Sequence, residues 1–184
     1  MNFLKIRSLA FFAILVVAMP IYVSADTAEQ IDNDVNAGLE SMYASTPAAV
    51  ELKKGAKGIL IFPDVLKAGL VIGGQYGEGA LRVNGETTGY FRTVAASYGL
   101  QAGAQNFGYA LFFMTDSAVE HLNNSKGWEV GVGPTIVVVD KGMSTSLTTT
   151  TAKDDIYAVF FDPKGLMLGL GIQGSKITRI TPDK

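Results

Sequence analysis

The sequence contains no cysteine and a single histidine, His121. Without cysteine there is no thiol nucleophile, no disulfide and no cysteine-ligated zinc, and one histidine cannot build a metal site from several imidazoles. Strong charge of either sign is also lacking, because the formal net charge at pH 7 is only −2. A chain of that charge has no overall basic field to attract nucleic acid. Composition therefore argues against nucleic acid as a partner and against thiol or zinc–cysteine chemistry.

Motifs of nucleotide binding and nucleophilic catalysis are also missing. The glycines from Gly73 to Gly79 follow the order G-G-x-x-G-x-G and precede a segment typical of a strand, whereas a dinucleotide-binding loop leads into a helix. No serine lies in a G-x-S-x-G motif, and His121 is expected to face solvent near the end of a helix. We therefore predict that the protein is not an enzyme and has no catalytic residues, no metal site and no cofactor.

The first 25 residues have the features of a secretory signal peptide. Lys5 and Arg7 precede the apolar run Leu9–Met19, which is short against the roughly 20 residues of a membrane span. Small residues at Val23–Ala25 suit cleavage after position 25, and an uncleaved anchor helix is the alternative. Cleavage would leave residues 26–184 with a formal charge of −4, because two basic and no acidic residues are removed. We predict an exported protein, periplasmic or secreted, where a cysteine-free chain is suited, with one domain across the mature chain.

Two helices are predicted at the start of the mature chain, within residues 26–55. Asp26 or Thr27 is expected to cap the first helix, and Pro47 to begin the second. The buried side of the first helix is predicted from apolar residues that recur at helical spacing. These residues are Ile31, Val35, Leu39 and Met42.

After Gly58 the pattern changes to short β-branched segments separated by turn signals. Asn84-Gly85 is the strongest of these signals and predicts a hairpin. A helix capped by Thr115 or Asp116 interrupts the strands once. The predicted fold class is α+β, mainly β, with a compact antiparallel barrel-like or sandwich core, N-terminal helices and one short mid-chain helix. Between residues 58 and 114 the predicted strands are 58–62, 68–76, 79–84, 89–96, 97–105 and 109–114.

Four lysines lie within fifteen residues of an otherwise acidic chain: Lys53, Lys54, Lys57 and Lys67. One interpretation is that they are ordinary solvated side chains at a helix end, where the helix dipole favours cations. The other is a basic surface for anionic headgroups, to which each lysine would contribute roughly 1 kcal/mol. On these physical grounds alone the first interpretation is preferred.

The stretch AKGILIFPDVLKAGLVIGGQYGEGAL, residues 56–81, resembles the opening signature of the SYLF-domain family. Two later motifs are similar to that family in the same order, namely S-Y-G-L-Q-A-G at Ser97–Gly103 and K-G-L-M-L-G at Lys164–Gly169. The resemblance spans roughly residues 28–180. The sequence departs from the family pattern at Tyr90–Thr93, where many members have Trp-Ser/Thr-x-Pro.

The resemblance implies binding rather than catalysis, because eukaryotic SYLF domains bind phosphoinositides and membranes, and some also bind actin filaments. For an exported bacterial member it implies peripheral association with an anionic phospholipid membrane, and actin is not an expected partner in that compartment. It makes Lys54, Lys57 and Lys67 candidate headgroup contacts, and Lys53 joins them by proximity. The main alternative is a structural or protein-interaction component of the bacterial envelope. A hydrolase or small-ligand carrier with a cavity in the β core is a third.

Overall fold

The computed structural model describes residues 26–69, 72–98, 103–139, 147, 151–165, 171–172 and 174–183. The predicted signal peptide lies outside these residues. The elements in chain order are α1 (Ala28–Ser45), α2 (Pro47–Gly55), β1 (Gly58–Gly69), β2 (Ile72–Val83), β3 (Glu86–Tyr98), β4 (Gly103–Phe113), α3 (Asp116–Asn124), β5 (Trp128–Glu129), β6 (Ile136–Val138), β7 (Ile156–Gly165) and β8 (Lys176–Ile180).

Local sequence signals set the limits of α1 and α2. The Thr27 side chain accepts a hydrogen bond from the Gln30 backbone N–H, and the Gln30 side chain accepts one from the Thr27 N–H, which forms a capping box. Thr46 is extended and precedes Pro47, a position that disfavours helical backbone, so α1 ends there and α2 begins. The predicted caps and helix starts are confirmed. The buried residues of α1 are Ile31, Val35, Gly38 and Met42.

The strands form one sheet in the order β5-β8-β3-β2-β1-β4-β7-β6, antiparallel except between β6 and β7. The Tyr109 hydroxyl on β4 donates a hydrogen bond of 2.8 Å to Thr93 Oγ1 on β3, although β1 and β2 lie between these strands. In a flat sheet, three strand spacings of roughly 4.8 Å would separate them. The sheet is therefore strongly curled. The predicted mainly antiparallel α+β fold is confirmed, and its core is barrel-like rather than a sandwich.

Each face of the curled sheet carries its own apolar core. Along β1, Leu60 and Phe62 point into the concave side, whereas Ile59 and Ile61 point to the convex side, as strand alternation requires. The concave core is completed by α3 and the buried Trp128. The convex core is covered by α1 and α2. The curled sheet forms a half-barrel, and α1 and α2 lie on its outer, convex face. Grooves run between these helices and the sheet.

The predicted hairpin is confirmed, but several strand limits were wrong. Asn84 and Gly85 have φ values of 53° and 87°, the left-handed pair that a tight hairpin turn needs. The break predicted after Phe62 is a bulge, where the pairing register shifts before Val65 and the strand continues. The predicted strands 68–76 and 97–105 each cross a boundary between two strands.

The two ends of the described chain are adjacent. Thr27, which caps α1, forms a parallel β-bridge with Asp183, three residues beyond the end of β8. The start of the outer helical layer is thereby fixed beside the C-terminal strand.

Candidate functional site

Helix α1 separates cavities of different charge on the convex side. Its core stripe faces the sheet, and residues on either flank of that stripe lie on opposite sides of the helix. Asn36, Leu39 and Tyr43 line a cavity on one flank, which we call the basic cavity. Asp34 and Ser41 line cavities on the other flank.

The basic cavity has a volume of about 400 Å³ and lies between α1, α2 and the start of β1. Its walls combine apolar and cationic side chains, and no described residue that lines it is acidic. In a chain with more acidic than basic residues this is a local inversion of charge. The apolar lining is Leu39, Tyr43, Ala56 and Ile59, and the cations are Lys53, Lys57 and Arg82.

The cations are held in different ways. The ammonium of Lys53 lies 4.8 Å from the centroid of the Tyr43 ring, a cation–π contact. Burial raises the pKa of Tyr43 to about 12, which keeps this phenol neutral to a higher pH than usual. The Arg82 guanidinium donates from Nη2 to Asp32 Oδ1 at 3.2 Å and to Asn36 Oδ1 at 2.9 Å. These bonds fix the arginine against α1.

The Nε of Arg82 takes no part in these bonds. It is buried and has no hydrogen-bond partner among the described residues. Lys53 and Lys57 are exposed, so the cavity combines two exposed lysines with one arginine fixed by hydrogen bonds. All three line the same cavity, so an anionic group that enters it would lie near them.

The structure brings together two of the four predicted lysines, Lys53 and Lys57. Lys54 lies outside the cavity lining and forms an ion pair with Glu51, with 2.6 Å between Nζ and Oε1. Lys67 lies nine residues beyond Gly58 on β1, roughly 30 Å away at the rise of an extended strand. It also lies on the concave side by alternation, because the side chain two positions before it belongs to the concave core.

Sequence reasoning missed Arg82. The prediction followed the local density of lysines, whereas Arg82 reaches the cavity through the pairing of β2 with β1, where it lies opposite Ile59. The signal that could have found it is the Asn84-Gly85 turn, which marks the end of β2 just after Arg82. Because β2 is antiparallel to β1, the end of β2 lies beside the start of β1.

Other site chemistry is limited in the part of the chain that the structure describes. No cluster of three His, Asp or Glu side chains that could hold a metal ion occurs there. Among the same residues, no helix is long and apolar enough to cross a membrane. His121 is exposed, as predicted, and its ring meets Trp128 edge-on with 6.0 Å between centroids.

Comparison with known proteins gives one finding. The family model Ysc84, described as Las17-binding protein actin regulator, matches residues 94–182. No curated protein matches the chain. The matched segment contains the motifs at Ser97–Gly103 and Lys164–Gly169, whereas α1, α2 and the basic cavity lie before it.

Ysc84 is the SYLF-domain family, and its match supports a lipid-binding or actin-regulator-related module. The matched residues run from the last five residues of β3 through β8 and so include five complete strands of the sheet. The motifs at Ser97–Gly103 and Lys164–Gly169 and the family model therefore indicate the same family. Residues 94–182 of this chain therefore match the SYLF-domain family, in agreement with the two motifs that they contain.

Proposed function

We propose that the protein is a non-catalytic domain that binds anionic phospholipid headgroups peripherally through the basic cavity. The observation that carries this proposal is the composition of the cavity, in which Lys53, Lys57 and Arg82 meet an apolar wall without any acidic lining residue. A phospholipid has the matching chemistry, since its phosphate is anionic and its acyl chains are apolar. Headgroup binding also fits the lipid-related character of the family.

The strength of such binding follows from charge near an anionic surface. Each lysine close to that surface contributes roughly 1 kcal/mol. Arginine binds phosphate oxygens through its planar fork of donors, and the Nε of Arg82 has no partner in the described protein. Binding through two exposed lysines and one fixed arginine is expected to be weak and salt-sensitive, because charges in water are screened within about 8 Å at physiological ionic strength.

We also propose that the protein acts outside the cytoplasm, in the periplasm or as a secreted protein. This rests on the predicted signal peptide of residues 1–25. The anionic surface available there is that of a bacterial envelope membrane, and neither actin nor nucleic acid is an expected partner.

Flotation of the purified protein with vesicles of phosphatidylglycerol and phosphatidylcholine tests the proposal. The variant Lys53→Glu/Lys57→Glu removes two attractions of roughly 1 kcal/mol each, so its affinity should fall by about thirtyfold or more. The matched control Lys54→Glu/Lys67→Glu has the same change in charge at predicted lysines outside the cavity. It should bind within a few-fold of wild type.

Circular dichroism must show that both variants fold. If the two variants lose binding equally, diffuse charge rather than the cavity attracts the protein to the vesicles. If both float as well as wild type, the lysines are only solvated side chains and the headgroup proposal is wrong.

One observation favours the alternative, a protein-interaction role in the envelope. Leu66 on β1, Tyr76 on β2 and Val94 on β3 lie opposite one another and form an apolar row across the convex face. Leu66 is 53% exposed and Val94 is 45% exposed. An exposed apolar row of this kind is typical of docking surfaces. Unchanged flotation of the lysine variants would direct attention to it.

A further inference from the structure

The second flank of α1 carries an acidic cleft formed by two adjoining cavities of about 420 and 270 Å³. The two cavities share Asp34, Pro63, Asp64 and Asn106, so they form one continuous depression between α1 and the sheet. Lys164 is the one cationic side chain among the described residues that line the cleft, so these side chains have a summed formal charge of −4. Its carboxylates are Asp26, Asp34, Asp64, Glu78 and Asp162.

Glu78, one of these carboxylates, provides an observation beyond their number. Its side chain is only 4% exposed, and its Oε1 accepts hydrogen bonds from the Tyr76 hydroxyl and from Arg92, whose Nη2 and Nε lie 2.9 and 3.2 Å away. The other carboxylate oxygen, Oε2, is buried and accepts no hydrogen bond from the described residues. Buried acceptors without donors are costly, and a charged one more so. A donor is therefore missing at the wall of the cleft.

Asn106 repeats the pattern. Its side-chain oxygen, Oδ1, is also buried without a hydrogen-bond partner, and the residue lines both cavities. Two unpartnered acceptors thus belong to one cleft. Asp26, at the edge of the smaller cavity, has its pKa raised by desolvation and then by the charges of Glu78 and Asp34. The local field accordingly disfavours a further anion and favours a cation.

The form of the cleft favours an organic cation over a metal ion. Within the described chain its carboxylates do not converge in a group that could hold a metal ion. Apolar side chains of Pro63, Leu66, Phe107 and Phe161 line the cleft between them. A ligand with N–H donors on an aliphatic stem would satisfy the acceptors and cover the apolar walls, as lysine and arginine side chains do at protein surfaces.

We infer that the acidic cleft binds an organic cation through a primary ammonium or guanidinium group. The group comes either from a free polyamine or from a lysine or arginine side chain of a partner polypeptide. The cleft lies on the flank of α1 opposite the basic cavity, so this inference is independent of the proposed headgroup binding. A protein held to an anionic surface by the basic flank keeps the acidic flank available.

Isothermal titration calorimetry of the full chain at low salt tests the inference with two probes, spermidine and an acetylated, amidated peptide containing two lysines. Binding of either probe is expected, and the stronger binder identifies the source of the cation. The variant Asp34→Asn/Asp64→Asn removes two exposed carboxylates common to both cavities. Its affinity should fall at least about tenfold, because charge-assisted hydrogen bonds are lost.

The matched control is Glu40→Gln/Glu86→Gln, which makes the same change in charge at exposed positions outside the cleft. It should bind the probe within about twofold of wild type. Thermal melts confirm that the variants fold. Absence of binding by both probes, or an equal loss in the cleft and control variants, would overturn the inference.

Discussion

The hydrogen bond between Tyr109 and Thr93 offers a direct test of the curled sheet. Both residues are 0% exposed, and the bond spans the concave core from β4 to β3. Tyr109→Phe removes the donor and leaves the Thr93 hydroxyl oxygen without it. Thr93→Val removes the acceptor and leaves the Tyr109 hydroxyl buried without a partner. Each single change should therefore destabilise the protein by about 1–3 kcal/mol, the cost of an unsatisfied buried polar group.

The double variant Tyr109→Phe/Thr93→Val distinguishes this contact from ordinary packing. Replacing both partners by apolar groups of similar shape is often nearly neutral. The double variant should therefore be less destabilised than the sum of the singles, with a coupling free energy of about 1–2 kcal/mol. If the two side chains did not interact, the destabilisations of the two single variants would simply add in the double variant.

Urea denaturation followed by tryptophan fluorescence measures all four free energies of unfolding. The chain has one tryptophan, Trp128, and it is buried in the same concave core, so its emission reports the loss of that core. Equal m-values across the set would show that each variant unfolds to a comparable extent. Additivity within about 0.5 kcal/mol would mean that the two side chains do not bond, and that the sheet is flatter than described.

Two further predictions concern pH and processing. Burial raises the pKa of Tyr43 and Tyr76 to about 12, and it raises the pKa of Tyr109 above its usual value. The folded state therefore favours the neutral phenols. The stability that this provides is fully present below about pH 10 and should be lost as the pH rises through 12. The urea midpoint of unfolding should be lower at about pH 11 than at about pH 8. A smaller decrease in Tyr109→Phe would assign part of the effect to that residue. Equal midpoints at the two pH values would contradict the pKa shifts. The intact mass of protein exported by its native host should correspond to a chain starting at Asp26. A mass that retains residues 1–25 would refute cleavage.

The parts of the fold that depend on residues close together in the sequence could be predicted from it. Thr27 and Gln30 form their capping box within one turn, Pro47 fixes a helix start, and Asn84-Gly85 fixes a hairpin. The ends of β1 could not be predicted in the same way. Pro63 resembles a turn residue, yet the neighbouring strands hold the chain extended on both sides of it and turn the irregularity into a bulge.

The candidate site was only partly predictable for the same reason. Lys53 and Lys57 are close in sequence, so a local pattern found both. Arg82 joins them through strand pairing and through its bonds to α1, and Lys67 is separated from them by the length of β1. The acidic cleft depends on the packing of α1 against the sheet. At Gly38 the helix approaches β1 so closely that a Cβ atom added to this glycine would lie 2.9 Å from the Cβ of Pro63.

The bridge between Thr27 and Asp183 has a consequence for how this domain can be joined to others. Because the chain enters and leaves at neighbouring points, a short linker can connect position 183 to position 27. New termini opened in the exposed turn at Asn84-Gly85 would then give a circular permutant with the same sheet. By the same geometry the whole unit can be carried as an insertion in a surface loop of a larger protein, without forcing the two ends of that loop apart.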